Sequence, residues 1–194
     1  MLADRMAESF YKGGIITDEE KEIIRFGLES LEGNLLGVGL TLAVGICFKQ
    51  VEEALLLWLL LFPLRKNAGG YHAATKTRCL FVSAVILIAA FMIFAVFERA
   101  LIFYGICAMI AGCVIWVLAP VDNPSKQLDA VECKVYRRRT RIVLGTESVI
   151  FIFALLFKWE ITIRSVCMTF SMVAISLLTG AVELAISNKI KRFD

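Results

Sequence analysis

The sequence contains a single histidine, His72, among its 194 residues. Its six cysteines form no Cys-x-x-Cys pair and no spacing with histidine that is typical of a metal site. Because structural zinc sites need clustered cysteine and histidine ligands, we expect neither a metal nor another cofactor. The net charge is only +3, and the basic residues lie between apolar runs, so the sequence does not indicate a nucleic-acid partner.

The beginning of the sequence lacks the pattern of a cleavable signal peptide. The first 20 residues carry five acidic side chains and no apolar h-region. We therefore expect the first membrane-spanning segment to serve as its own insertion signal.

Apolar residues are abundant. They make up 59% of the chain, and the mean hydropathy is +0.76, whereas a soluble globule has roughly 45–50% apolar residues. Lipid must therefore solvate part of the protein. The sequence predicts an all-α, polytopic membrane helix bundle with about six membrane helices. We expect an amphipathic segment over 1–33, an integral membrane domain over 34–187 and a basic tail over 188–194.

Residues 1–33 are amphipathic and not long enough in apolar sequence to span a membrane. Gly13-Gly14 should end a first helix, and Thr17 should open a second one, with Glu20 completing a capping box. Such helices either lie in the headgroup plane or dock onto the protein's own bundle, and the sequence leaves both open.

Two short apolar runs follow, 35–48 and 51–64, and Lys49-Gln50 lies between them. Each is shorter than the roughly 20 residues of a straight span. We expect either two short spans or a re-entrant hairpin, with the second run ending at Pro63. Four further spans are predicted over 79–97, 100–119, 142–157 and 161–187, with a polar loop between Pro120 and about residue 140.

The positive charges predict the orientation. Thirteen lysines and arginines fall in one alternating set of connections and in the tail, against four in the opposite set, which holds Lys49, Arg99, Lys158 and Arg164. The positive-inside rule then places both termini, the loop with His72 and the loop after Pro120 in the cytoplasm of a multi-pass membrane protein.

The polar insert Arg65–Cys79 holds the best candidates for chemistry. Cys79 lies at the start of a predicted helix, whose dipole together with Lys76 and Arg78 favours a thiolate, the nucleophilic form. His72 is a possible general base or imidazolium partner. The competing interpretations are an inert buried cysteine and an ordinary interfacial histidine.

The spacing between His72 and Cys79 adds a constraint. On one straight helix they would lie about 10 Å apart along the axis, too far for a hydrogen bond. Gly69 and Gly70 permit a positive φ and therefore a chain reversal. We expect the helix to begin near Ala73–Thr75, with His72 off its axis.

Other charged residues are candidates for binding. Arg65 suits a substrate carboxylate or an oxyanion, or it merely anchors a span. Arg137, Arg138 and Arg139 suit an acidic peptide or an anionic lipid, or they set topology. Glu147 lies inside a predicted span, where a carboxylate is a functional candidate by default.

The motif Arg-x-x-Ala-Gly-Gly-x-His-Ala over 65–73, followed by Cys79 at the start of a span, resembles the accessory gene regulator B family of bacterial membrane endopeptidases. The segment Ala-Pro-Val-Asp-Asn-Pro over 119–124 is also similar to that family. The resemblance covers essentially the whole chain. It implies that Cys79 and His72 are catalytic, with Arg65 and Gly70 functionally important.

The resemblance also implies a reaction. These enzymes cleave the C-terminal part of a short, amphipathic quorum-sensing pro-peptide through an acyl-thioester, which a substrate cysteine converts to a thiolactone. Asp122, Glu147 or a backbone carbonyl would orient His72, and the sequence does not choose among them.

The resemblance implies partners as well. The basic loops would complement the acidic tail of the pro-peptide in a bacterial cell membrane, and a homodimer is expected. The alternative is a non-catalytic transporter or assembly factor in which 65–79 is a docking or gating loop.

Overall fold

Helices account for nearly all of the residues that the computed structural model describes, which are 2–71, 76–96, 101–121 and 129–190. Seven helices follow one another in these ranges: α1 Leu2–Lys12, α2 Asp18–Cys47, α3 Val51–Ala68, α4 Lys76–Val96, α5 Leu101–Leu118, α6 Ala130–Phe157 and α7 Glu160–Ile190. The predicted all-α fold is confirmed. The chain forms two compact units, Met1–Thr41 and Leu42–Asp194.

The first unit begins as the sequence predicted. α1 ends at Lys12, and Gly14 in the following turn adopts φ +66°. Thr17 and Glu20 form the expected capping box, since the Thr17 N–H donates to Glu20 Oε2 at 2.9 Å and the Glu20 N–H donates to Thr17 Oγ1 at 3.4 Å. An ion pair between Lys21 and Glu8 then links the start of α2 to α1.

The long helix α2 differs from the prediction. It runs for 30 residues, so the apolar run 35–48 is its C-terminal part and not a separate short span. The expected domain boundary at residues 33 and 34 lies inside this helix. Its glycines do not end it, because a backbone in lipid must satisfy its hydrogen bonds internally and the segment contains no proline. The predicted break at Lys49-Gln50 is confirmed, and Lys49 has φ +58° there.

α3 passes through Pro63, so the prediction that this proline ends the helix is wrong. Proline costs about 3 kcal/mol in a helix interior. Burial of Leu64 and Ala68, both 0% exposed, outweighs that cost and carries the helix one more turn. The Asn67 amide donates to the Pro63 carbonyl at 2.7 Å. Arg65 is consequently helical and does not belong to a loop.

α7 is the centre of the second unit and packs most extensively against α5 and α3. Two contacts define how α3 lies on α7. Glu53 accepts a hydrogen bond from Arg164 at 2.8 Å, and Arg65 donates to Ser176. Both pairs are 111 residues apart in sequence, so α3 and α7 run parallel without a shift in register. The two contacts lie about 18 Å apart along the helices.

Arg164 was counted with the charges of the outer connections, but it does not lie in a connection. It lies inside α7 and is only 8% exposed, and its partner Glu53 is 6% exposed. A buried charge is tolerated where an opposite charge and hydrogen bonds compensate for lost hydration. Removing Arg164 from the outer set of basic residues makes the predicted charge asymmetry larger.

Five of the described helices are long and apolar enough to cross a membrane, namely α2, α4, α5, α6 and α7. Large apolar side chains cover their surfaces, including Phe81, Ile102 and Val117, which are 70%, 82% and 74% exposed. Such a surface suits lipid and not water. The protein is therefore a multi-pass membrane helix bundle. α3, with four charged residues among 18, is a sixth helix that lies along α7.

α6 begins at Ala130, about ten residues before the predicted end of the polar loop. The Asp129 N–H donates to Glu132 Oε2 at 3.2 Å, which is one half of a capping box. This Asp-x-x-Glu spacing was visible in the sequence and would have located the helix start. The basic residues from Lys134 to Arg141 therefore lie on the first turns of a helix.

Candidate active site

The Arg65 side chain organises the end of α3. Its Nη1 donates to the Gly69 carbonyl and to Ser176 Oγ, and its Nη2 donates to the Tyr71 carbonyl at 2.5 Å. Burial lowers the pKa of Arg65, whose guanidinium nevertheless has three hydrogen-bond acceptors around it.

The segment after α3 is fixed by backbone hydrogen bonds on two sides. The Gly70 N–H donates to the Val121 carbonyl at 3.3 Å, and the Val121 N–H donates to the Ala68 carbonyl at 3.1 Å. The Tyr71 N–H donates to the Ser176 carbonyl of α7 at 2.9 Å. Residues 69–71, the motif loop, are thus held between α7 and the chain that follows α5.

The motif loop requires glycine at both of its first positions. Gly69 and Gly70 adopt φ +72° and +105°, where L-residues are strained, so the predicted positive φ is confirmed. A Cβ on Gly70 would also lie 2.6 Å from Arg65 Nη1 and 2.8 Å from Ser176 Oγ. The backbone at Gly70 therefore lies so close to the Arg65 guanidinium that only glycine fits there.

α7 contributes a surface for this loop that the sequence reasoning missed. Gly180 lies one turn after Ser176, and a Cβ on Gly180 would lie 2.8 Å from the Tyr71 nitrogen. Small residues four apart commonly mark a close approach in membrane helices. The Ser-x-x-x-Gly spacing was the available signal, although it does not identify the segment that packs there.

Cys79 is exposed and lies in the first described turn of α4. The alternative of a buried, inert cysteine therefore applies to Cys167, which is buried in α7, and not to Cys79. The second unit therefore offers an accessible sulfur on α4 and a partly buried guanidinium that holds a glycine turn.

The family model for accessory gene regulator B matches residues 3–179, which is most of the chain and includes this site. The chain belongs to the accessory gene regulator B family. "Putative AgrB-like protein 2" of Clostridium perfringens strain 13 is 27% identical over 143 residues, covering 70% of this chain and 64% of the relative. "Putative AgrB-like protein" of Clostridium perfringens strain SM101 is 26% identical over 143 residues with the same coverage. No solved structure matches.

Several predicted site residues of this accessory gene regulator B protein remain untested by the geometry. His72 and Asp122 lie outside the described residues, as does the expected helix start at Ala73–Thr75. Glu147 is 3% exposed on the inner face of α6, and within the described ranges neither of its carboxylate oxygens has a hydrogen-bond partner. It therefore makes no hydrogen bond to Arg65.

The arginine run at the start of α6 lies in exposed positions, but its members have different surroundings. Arg137 and Arg138 line an open cleft beside Trp116 of α5, whereas Arg139 is not among the residues that line it. The run therefore divides into two surfaces, a distinction that the sequence did not reveal.

Proposed function

We propose that this chain is a membrane-embedded cysteine endopeptidase. It cleaves the C-terminal part of a quorum-sensing pro-peptide and promotes closure of a thiolactone. Family membership supports this function. The observation that carries it is the position of Cys79, which is exposed in the first described turn of α4, the helix that follows the motif loop in the sequence.

The reaction begins when the Cys79 thiolate attacks the carbonyl carbon of the scissile peptide bond. The carbon–nitrogen bond breaks, His72 gives a proton to the leaving amine, and an acyl-thioester remains on Cys79. The thiol of a substrate cysteine then attacks this thioester, forms the thiolactone and returns the Cys79 thiol. One thioester replaces another, so the activated bond survives if water is excluded.

Arg65 acts in this proposal as a positioning residue. Three protein groups, the two carbonyls of Gly69 and Tyr71 and the Ser176 hydroxyl, already accept hydrogen bonds from its Nη1 and Nη2. A planar guanidinium can hold several acceptors in fixed directions, which lysine cannot do. Arg65 therefore orients the loop that leads to His72, and it need not bind the substrate carboxylate itself.

The membrane orientation and the partners are part of the same proposal. The motif loop, the start of α6 and both termini face the cytoplasm, because the sequence concentrates its lysines and arginines in the connections and the tail assigned to that end. The acidic tail of the pro-peptide would be attracted to that end, where Arg139 and Lys66 are exposed. A homodimer would wall the site off from water.

Substitution of two cysteines tests the proposal. Cys79→Ala should abolish cleavage of an epitope-tagged pro-peptide from the same genome, co-expressed with the full chain and followed by gel electrophoresis. Cys107→Ala, which removes a sulfur from α5, should cleave normally and serves as the matched control. Normal processing by Cys79→Ala would refute an enzyme that uses this sulfur.

Maleimide labelling separates the proposal from a non-catalytic docking or gating loop. An activated Cys79 should react several times faster than Cys133 at neutral pH, since the thiolate is the reactive form. Equal rates for these two cysteines would favour the non-catalytic alternative.

A further inference from the structure

A cleft of about 340 Å³ opens between the end of α5 and the beginning of α6. Its lining residues are Trp116, Lys134, Arg137, Arg138, Arg141 and Ile142. The Arg141 guanidinium lies over the Trp116 ring, with its Cζ 4.4 Å from the ring centroid. This cation–π contact joins the two helices and gives the cleft one fixed wall.

The four titratable residues that line the cleft are all basic. Lys134 and Arg138 are four residues apart on α6, and so are Arg137 and Arg141. Like charges at this spacing repel and destabilise a helix. Among the residues that the structure describes, no acidic side chain lines the cleft to relieve the repulsion. An anion that enters it would reduce the repulsion among these four charges.

Two of the residues that line the cleft are apolar. Trp116 and Ile142 are 50% and 58% exposed, and Val117, which follows Trp116 on α5 outside the cleft, is 74% exposed. α5 and α6 are both candidate spans; Trp116 lies near the end of α5, and the basic side chains lie on the first turns of α6. Tryptophan and arginine at such positions are typical of the headgroup level of a bilayer. The cleft thus presents cations to a phosphate and an adjoining apolar wall to acyl chains.

We infer that this cleft binds the phosphate headgroup of an anionic membrane lipid, with its acyl chains lying against Trp116 and Ile142. A lipid matches both the charged and the apolar side of the cleft, whereas a soluble acidic peptide matches only the charges. Cys79 is not part of the cleft, so lipid binding here is independent of the proposed peptidase activity.

Arg139 provides a matched control for Arg138. Both are exposed arginines in one run on α6, but only Arg138 lines the cleft. Arg138→Gln and Arg139→Gln therefore remove the same charge from the same end of the protein. Any difference in lipid preference between the two variants is therefore due to the cleft and not to the general attraction of a basic surface to an anionic membrane.

Quenching of Trp116 fluorescence by brominated lipids tests the inference. The full-length chain carrying Trp58→Phe and Trp159→Phe keeps Trp116 as its one tryptophan, and it is reconstituted with brominated phosphatidylglycerol or brominated phosphatidylcholine. Phosphatidylglycerol should quench more strongly at equal mole fraction. Arg138→Gln should lower this preference about fivefold, and Arg139→Gln should keep it. The preference should also fall as the ionic strength rises.

Three results would overturn the inference. They are equal quenching by the two lipids, an equal loss of preference in Arg138→Gln and Arg139→Gln, and a response of Trp116 to a soluble acidic peptide but not to phosphatidylglycerol. If the tryptophan substitutions impair folding, native mass spectrometry of the otherwise unaltered chain gives a second readout. Phosphatidylglycerol adducts should then be fewer for Arg138→Gln than for Arg139→Gln, and equal adduct levels would contradict the inference.

Discussion

Gly180→Ala tests whether the close approach of α7 sets the position of the motif loop. The added Cβ would lie 2.8 Å from the Tyr71 nitrogen and 2.9 Å from the Gly70 carbonyl carbon, whereas ordinary contact begins at 3.4 Å. The loop must therefore retreat by about 0.6 Å, because the added atom is attached to a rigid helix backbone. The hydrogen bond from the Tyr71 N–H to the Ser176 carbonyl, 2.9 Å long, would then be stretched or lost.

The effect on stability should be small and the effect on activity large. Losing one hydrogen bond costs about 1 kcal/mol, and replacing glycine by alanine in a helix interior returns about 1 kcal/mol. The midpoint of thermal unfolding in detergent should therefore change little. A misplacement of 1 Å can cost about a hundredfold in rate, so a shift of about 0.6 Å should lower pro-peptide cleavage about tenfold.

Gly145→Ala is the matched control, because Gly145 is also a helix glycine and its Cβ would meet nothing within 4 Å. It should cleave at the normal rate. Cleavage is measured with the co-expressed, tagged pro-peptide, normalised to the amount of folded membrane protein. Normal cleavage by Gly180→Ala, or an equal loss in Gly145→Ala, would refute the idea that this contact positions the loop.

Three further substitutions follow from the same contacts. Glu53→Gln should lower the free energy of unfolding by about 3–5 kcal/mol because Arg164 loses its buried partner, while Glu52→Gln, at an exposed neighbouring position, should change it little. Similar unfolding curves for the two variants would contradict a buried ion pair. Ser176→Ala removes an acceptor of Arg65 and should slow cleavage, whereas Ser171→Ala, whose hydroxyl donates to the Cys167 carbonyl of its own helix, should not. Equal cleavage rates in these two variants would show that the Ser176 contact is dispensable. Glu147→Gln replaces a buried carboxylate without a hydrogen-bond partner among the described residues, so it should match or exceed the wild-type thermal midpoint, and a large drop would reveal a hidden partner.

Local signals in the sequence predicted local features correctly. The Thr17 capping box and the break at Lys49-Gln50 depend on residues within a few positions of one another. The positive φ of Gly69 and Gly70 follows from the glycine side chain alone. In each case the residues that decide the conformation are neighbours in sequence.

Features that depend on distant residues were not predictable in the same way. Pro63 suggests a helix end, but burial of Leu64 and Ala68 against other helices overrides that preference. Arg164 looks like a loop charge until Glu53, 111 residues earlier, is found beside it. Hydrophobic periodicity identifies which segments are helices, but it does not state which polar residue of one helix faces which residue of another.

The equal spacing of the two α3–α7 contacts connects stability with the site. The Glu53–Arg164 pair lies at one end of the parallel helices, and the Arg65–Ser176 contact lies about 18 Å away at the other. Apolar packing between them specifies a register less sharply than a polar pair does, because the hydrophobic effect is non-directional. A slip of one turn, about 5.4 Å, would separate both polar pairs at once and leave a buried charge without its partner. The buried ion pair therefore selects the one register in which Arg65 reaches Ser176, and that register also places Gly180 beneath the motif loop.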